Sequence, residues 1–150
     1  MPHLDNYNVI WGLSACYNTS KLQKMQNRCA RLVLQAHFLT SHTYMLSELT
    51  WQSIKQRVNY QVGIYMFKIQ NNLFPEYLKS VIIPSKSTYC TRYSVHSTLF
   101  IRTPRTDYYK RSLHCYGSTL WNKLPPSVKT ATSLYSIKKL MKSLSLANTL

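Results

Sequence analysis

Hydrophobic residues recur at helical spacing in the first part of the chain. A capping box of Ser20 and Gln23 predicts the start of a helix there. The predicted buried face of this helix comprises Leu22, Met25, Cys29, Leu32, Val33 and Ala36. The predicted outer face carries basic charge alone, at Lys21, Lys24, Arg28 and Arg31. The pattern therefore predicts an amphipathic helix with a cationic surface.

The longest helical pattern runs from Trp51 to Gln70. Gly63 lies inside it and costs about 1 kcal/mol relative to alanine, which is too little to end the helix. The predicted inward-facing residues are Ile54, Val58, Val62, Tyr65, Met66 and Ile69. A shorter helical turn is predicted before it, over residues 44–49.

Further helices are predicted towards the C-terminus. Pro75 suits the first position of a short helix in "PEYLKSV". A helix is predicted from about Leu113 to Lys123, ending at the two prolines that follow. The last helix is predicted to begin at Ser133. Its predicted buried residues are Leu134, Ile137, Leu140, Met141 and Leu144, and its predicted exposed residues are Lys138, Lys139 and Lys142.

Residues 84–105 differ in character, because they are rich in Ser, Thr and Tyr and have no helical period. They predict a loop with one or two short extended pieces. We therefore expect a mainly α protein, an irregular bundle of about four to six helices with short strands near residues 88–106. The predicted division is an N-terminal segment over 1–12, a basic helical region over 13–83, a loop over 84–106 and a C-terminal helical region over 107–150.

The charge of the chain indicates its partners. Lys and Arg number 19 against 4 acids, which gives a formal net charge of +15. A compact body this basic favours a polyanion, with nucleic acid as the first candidate and an anionic membrane surface as the second. No apolar run approaches the ~20 residues that span a bilayer, so no membrane partner is expected. The first twelve residues lack the features of a signal peptide, so we expect a protein that is not secreted and resides in the nucleus or cytoplasm.

After residue 88, aromatic residues lie between the cations of the chain. These aromatic residues are Tyr89, Tyr93, Phe100, Tyr108 and Tyr109. Cations that neutralise phosphates, and aromatic rings that stack on bases, are what binding of single-stranded nucleic acid requires. The alternative is that the cations solvate helix faces and the tyrosines complete a thin core. The candidate contacts are Lys21, Lys24, Arg28, Arg31, Arg92, Arg102, Arg105, Tyr108, Tyr109, Lys110, Arg111, Lys138, Lys139 and Lys142.

The residues that catalysis would need are sparse. The four acids Asp5, Glu48, Glu76 and Asp107 are isolated in sequence, whereas two-metal phosphoryl transfer needs clustered carboxylates. The Cys and His residues lack the paired spacing of zinc sites. We therefore expect no catalytic residue, no metal and no cofactor, and expect that the chain is not an enzyme by itself.

Several short motifs follow one another in an order that resembles a known protein family. These motifs are "PHLDNYNVIWG" from Pro2, "LQKMQNRCARLV" from Leu22, "ELTWQSIKQRVNY" from Glu48, "FKIQNNLFPEYL" from Phe67, and "PRTDYYKRSLHCYGSTLWNKLP" from Pro104. Together they resemble the C-terminal tail of reverse transcriptases from LINE-type, non-LTR (jockey-like) retrotransposons. No single motif is specific to that family, but the order in which the motifs follow one another is.

The resemblance implies a role as part of a larger polymerase. Residues 1–12 would be the remnant of a thumb-like helix, and the remainder would be the extension that helps hold template RNA or target DNA. The catalytic aspartates of such RNA-directed DNA polymerases lie upstream, and the chain's opening at an internal Met would record a truncated element. Some relatives carry a Cys/His zinc knuckle that this chain does not match. The alternative function is a helical protein-interaction module or a non-functional relic.

Overall fold

Helices dominate the fold. The computed structural model describes residues 7–80, 82–84 and 99–146, and helices hold 67% of these. The α-helices are α1 (Asn8–Trp11), α2 (Cys16–Leu34), α3 (His42–Glu48), α4 (Ile54–Gln70), α5 (Glu76–Lys79), α6 (Asp107–Arg111), α7 (Ser118–Lys123), α8 (Pro126–Lys129) and α9 (Leu134–Leu146). A π-helical turn, Leu113–Gly117, lies between α6 and α7. The prediction of a mainly α fold is confirmed, and several of the additional helices are single turns.

The chain divides into two compact units, Met1–Val58 and Asn59–Leu150, and the division falls inside α4. In the first unit, α2 packs on α3. The buried apolar residues of this unit are Val9, Ala30, Met45, Leu46, Ile54 and Val58. The four-part division expected from the sequence stays a prediction.

The start and the buried face of α2 differ from the prediction. The helix begins at Cys16 after Ala15, so Ser20 lies inside it and does not form its cap. Leu32 is 78% exposed and Met25 60%, whereas Gln26 and Ala30 are buried. Gln23 and Gln26 face inward because they hydrogen-bond to backbone groups at the start of α4.

Two glutamines of α2 satisfy the backbone at the beginning of α4. The Ile54 N–H donates to Gln23 Oε1 at 2.9 Å, and Gln26 Nε2 donates to the Gln52 carbonyl at 2.8 Å. Gln23 Nε2 also donates to Gln26 Oε1 at 3.0 Å. The first N–H groups of a helix have no partner within the helix, so these side chains replace water at a partly buried helix start.

The capping box of this region belongs to α4. The Gln56 N–H donates to Ser53 Oγ at 3.3 Å, and the Ser53 N–H donates to Gln56 Oε1 at 2.9 Å. This reciprocal pair begins the helix at Ile54, three residues after the predicted start. The predicted inward residues of α4 are buried, except for the half-buried Tyr65.

The second unit has its core between the later part of α4 and the C-terminal helices. The largest fully buried side chains of this unit include Phe67, Trp121, Met66, Ile137 and Met141. The sequence predicts that four residues of this region pack against the body: Leu113, Leu120, Trp121 and Leu124. The last three are each at most 7% exposed, which confirms their packing, and Leu113 is half-buried. In α9, Ser133 Oγ accepts the Ser136 N–H at 3.1 Å, which confirms the predicted cap.

The strands expected near residues 88–106 are not found in the part that the structure describes. Residues 88–98 lie outside the described residues. Leu99 forms an isolated antiparallel bridge with Pro84, and the Phe100 N–H donates to the Ile83 carbonyl at 2.9 Å. Asn122 satisfies the backbone of Leu99 from the other side, so a side chain replaces the neighbouring strand of a sheet.

Candidate nucleic-acid interface

Two consecutive caps position the candidate residues that follow residue 105. Thr106 Oγ1 accepts the Tyr109 N–H at 3.3 Å, which begins α6. Ser112 Oγ then donates to the Tyr109 carbonyl at 2.6 Å and accepts the Cys115 N–H at 3.3 Å, which ends α6 and begins the π-helical turn. Lys110 and Arg111 therefore lie on a helix. Their charge and aromatic neighbours group them in sequence with the loop cations Arg92, Arg102 and Arg105, and a loop placement based on that grouping is wrong. Threonine and serine fit both positions because their short hydroxyl side chains reach nearby backbone groups.

An exposed aromatic ring and a guanidinium pair on α6. Tyr108 is 83% exposed, and the Arg111 guanidinium carbon lies 5.2 Å from the centre of its ring. The spacing of three residues along a helix places them on neighbouring positions of one face. Lys110 and Arg105 are exposed on the same short stretch. A flat ring and three cations thus lie within seven residues of chain.

Tyr109 has a different environment from Tyr108. It is half-buried, and its hydroxyl forms a hydrogen bond of 3.0 Å with His114 Nδ1 in the π-helical turn. The two ring centres are 5.7 Å apart. Because this ring packs and bonds inside the second unit, Tyr108 is the aromatic residue of the pair that is open to a ligand.

Helix α2, in the first unit, carries the second cationic group. Lys21, Lys24 and Arg28 are exposed, and Arg31 is half-buried. The buried Nε of Arg31 has no hydrogen-bond partner among the residues that the structure describes. The spacing of these four residues places them along the side of α2 opposite Gln26 and Ala30.

Tyr17 is a neighbour that the sequence interpretation missed. The Lys21 ammonium lies 4.3 Å from the centre of the Tyr17 ring, and Tyr17 is 67% exposed. The i, i+4 spacing in "YNTSK" is the signal that predicts this pair. An exposed ring next to a cation therefore occurs in both units.

The remaining described candidates lie on other elements than α2 and α6. In the second unit, Lys138, Lys139 and Lys142 are exposed on α9, and Arg102 is exposed in the extended segment before α6. Arg92 lies outside the described residues. Within the part of the chain that the structure describes, the candidate set and its neighbours form two ring–cation pairs, one on α2 and one on α6.

Burial changes the pKa of three groups in the second unit. Burial raises the pKa of Tyr116, whose hydroxyl donates to Asn59 Oδ1 at 2.5 Å. Burial also raises the pKa of Tyr60. It lowers the pKa of Lys129, whose ammonium donates to the Asn122 carbonyl at 3.0 Å. These tyrosines stay neutral at physiological pH and act as hydrogen-bonding and packing groups.

Metal binding, carboxylate catalysis and membrane spanning are the other functional classes that the sequence raises. Among residues 7–80, 82–84 and 99–146, no three His, Cys, Asp or Glu side chains are placed to hold a metal ion. Glu48, Glu76 and Asp107 are exposed, and Asp5 lies outside the described residues. Within the described part of the chain, no helix has the length and hydropathy to cross a membrane.

No known protein family, curated protein or solved structure matches this chain.

Proposed function

We propose that this chain is a non-catalytic segment that binds single-stranded nucleic acid within a LINE-type reverse transcriptase. The observation that carries the proposal is the pair of exposed Tyr108 and overlying Arg111 on α6. A base stacked on the free part of the ring would place its phosphates near Lys110 and Arg105. Stacking on aromatic residues is worth about 1–3 kcal/mol per base and tolerates any base.

The charge distribution supports the same proposal. Lys21, Lys24 and Arg28 line one side of α2, and this helix contains no acid that would offset them. Surfaces that are merely solvated normally mix both signs. A one-signed face concentrates polyanions near the protein and accelerates their association.

The segment would act together with the polymerase domain of the intact element. The motif order described above supports this origin, and the nucleic acid would be template RNA or target DNA. The location that follows from this role is the nucleus or cytoplasm. Sequence preference would be weak, because phosphate contacts and stacking carry little base information.

The binding test uses fluorescence anisotropy of a labelled oligouridylate and an oligothymidylate with the purified full chain. We expect both to bind, with an affinity that falls steeply as salt rises. A matched anionic control, polyglutamate of the same charge, should compete less well because it offers no base to stack. A folded chain that binds neither oligonucleotide at low salt would contradict the proposal.

A second candidate function rests on exposed apolar residues of α2, which lie beside the cations of that helix. Met25, Leu32 and Val33 form an exposed apolar strip along α2, and Phe38 and Leu39 are exposed just beyond the helix. Apolar patches of this kind often mark sites of protein association. A helical protein-interaction module is therefore the alternative function. It would be favoured if the folded chain bound neither oligonucleotide.

A further inference from the structure

A cleft of 470 Å³ lies in the second unit, at the C-terminal end of α4. Its volume is within the range of about 300–1,000 Å³ that small-molecule sites have. The described lining residues are Ile69, Gln70, Asn72, Lys79, Ile82, Pro84 and Leu99. The cleft is therefore mostly aliphatic, with two carboxamides and one ammonium group as its polar side chains.

The backbone fixes the two carboxamide positions. Gln70 is the last residue of α4, and Asn72 has a φ of 58°, the left-handed conformation that asparagine tolerates well. The Leu73 N–H donates to the Lys68 carbonyl at 2.9 Å, which closes the end of the helix around Asn72. This ending directs the chain across one side of the cleft.

Burial and hydrogen bonds fix the position of the aliphatic residues that line the cleft. Leu99 is 6% exposed and Ile82 7%. The backbone N–H and carbonyl of Leu99 are both hydrogen-bonded to the Asn122 side chain at 2.9 Å. The wall is thus preformed, which lowers the entropy cost of binding.

The polar side chains of the cleft are available to a ligand. Among the described residues, the side chains of Gln70, Asn72 and Lys79 form no hydrogen bond or ion pair. A carboxamide offers both a donor and an acceptor, which suits the edge of a heterocyclic base. Lys79 adds a positive charge for a phosphate.

We propose that this cleft binds one nucleobase of the nucleic acid, with the adjoining phosphate at Lys79. The carboxylate of a fatty acid could pair with Lys79, but it has no donor for the carboxamide oxygens, and inorganic phosphate would leave the aliphatic wall empty. The carbonyl end of α4 carries partial negative charge, so the base's N–H groups face α4 and the phosphate lies at Lys79. This inference rests on the proposed function, since it assigns a base-binding site to the same ligand.

The test uses the full chain and a twelve-nucleotide oligothymidylate with one central 2-aminopurine, whose fluorescence reports stacking and access to acrylamide. Bound 2-aminopurine should be protected from the quencher. Gln70→Ala and Asn72→Gly should each weaken the protected complex about fivefold, the effect of roughly one hydrogen bond. Asn72→Gly keeps the left-handed backbone available, so it removes the carboxamide without strain.

Lys79→Gln should weaken binding and reduce its salt dependence. Lys123→Gln, which changes an exposed lysine on α7 that is not among the candidate contacts, should change neither the salt slope nor the protection of 2-aminopurine. Circular dichroism melts confirm that each variant is folded. Oligonucleotide binding that is unchanged in all three cleft variants would overturn the cleft proposal alone. An oligonucleotide that does not bind the wild-type chain at all would overturn the proposed function together with it.

Discussion

Asn122 holds the backbone of Leu99 from both sides: the Leu99 N–H donates to Asn122 Oδ1, and Asn122 Nδ2 donates to the Leu99 carbonyl, each at 2.9 Å. This pair joins the chain before α6 to α7 within the second unit. Asn122 belongs to the "LWN" sequence on which the resemblance partly rests. The structure thus gives that asparagine a role in folding that requires no ligand.

Asn122→Ala should lower the free energy of unfolding by about 1–3 kcal/mol, because it leaves a nearly buried N–H and carbonyl without partners. Urea unfolding followed by circular dichroism measures this. Lys123→Ala, at the exposed neighbouring position, is the control and should stay within about 0.5 kcal/mol of the wild type. Equal stability of the two variants would show that the Leu99 contact contributes nothing.

The buried side of α2 gives a second prediction. Leu32→Gln should change the free energy of unfolding by less than about 0.5 kcal/mol, because Leu32 is 78% exposed. Ala30→Leu should cost about 1–3 kcal/mol, because Ala30 is fully buried and a larger side chain overfills its site. Thermal and urea melts of both variants check this. The apolar pattern by itself predicts the opposite order.

Much of the fold follows from the sequence, and the buried face of α2 is an exception with a clear physical cause. The apolar pattern of α4 predicts its buried face, because those residues pack against side chains throughout the helix. The same rule fails for α2, where Gln23 and Gln26 face inward to bond the backbone near Ile54. Helical periodicity counts apolar positions and carries no information on a hydrogen-bond partner 26 or 31 residues away.

Candidate-site residues were predictable to a similar extent. Charge and aromatic content identify the stretch around Tyr108, but they do not distinguish Tyr108 from Tyr109. That distinction depends on His114, which binds the Tyr109 hydroxyl. The cleft is harder still to predict, since its lining comes from the end of α4, from α5 and from Leu99, which the fold brings together.

Tyr116 gives a prediction on pH. Its folded-state pKa is raised by burial, so the folded state favours the neutral phenol and the group's contribution is present below pH 10. Tyr116→Phe should cost about 1–2 kcal/mol at pH 7, because the hydrogen bond to Asn59 is lost. The difference between wild type and variant should shrink as the pH rises above 10. Urea melts at pH 7 and at higher pH measure it, and a difference that grows with pH would contradict this account.

The proposed non-catalytic role gives a prediction on activity. Two-metal polymerisation needs clustered carboxylates, and Glu48, Glu76 and Asp107 are each exposed on different helices. Primer extension on an RNA template with magnesium or manganese should give no product above a buffer control. Product that disappears in Asp107→Ala would contradict this prediction.

The most direct test of the account compares two variants of α6 by salt titration of oligonucleotide binding. Combined replacement of Arg105, Lys110 and Arg111 by Ala should lower the slope of log affinity against log salt by about two units, since each phosphate contact contributes ~0.7. Tyr108→Ala should instead cost ~1–3 kcal/mol of binding at every salt concentration. Neither change should lower the melting temperature, because Tyr108 is 83% exposed.

Tyr135→Ala, which removes a ring that is 78% exposed on α9, is the matched control and should bind as the wild type does. The account predicts a loss of slope in the charge variant, a salt-independent loss in Tyr108→Ala and neither loss in Tyr135→Ala. Unchanged binding by the charge variant, together with a lowered melting temperature for Tyr108→Ala, would contradict the account and assign this surface to packing.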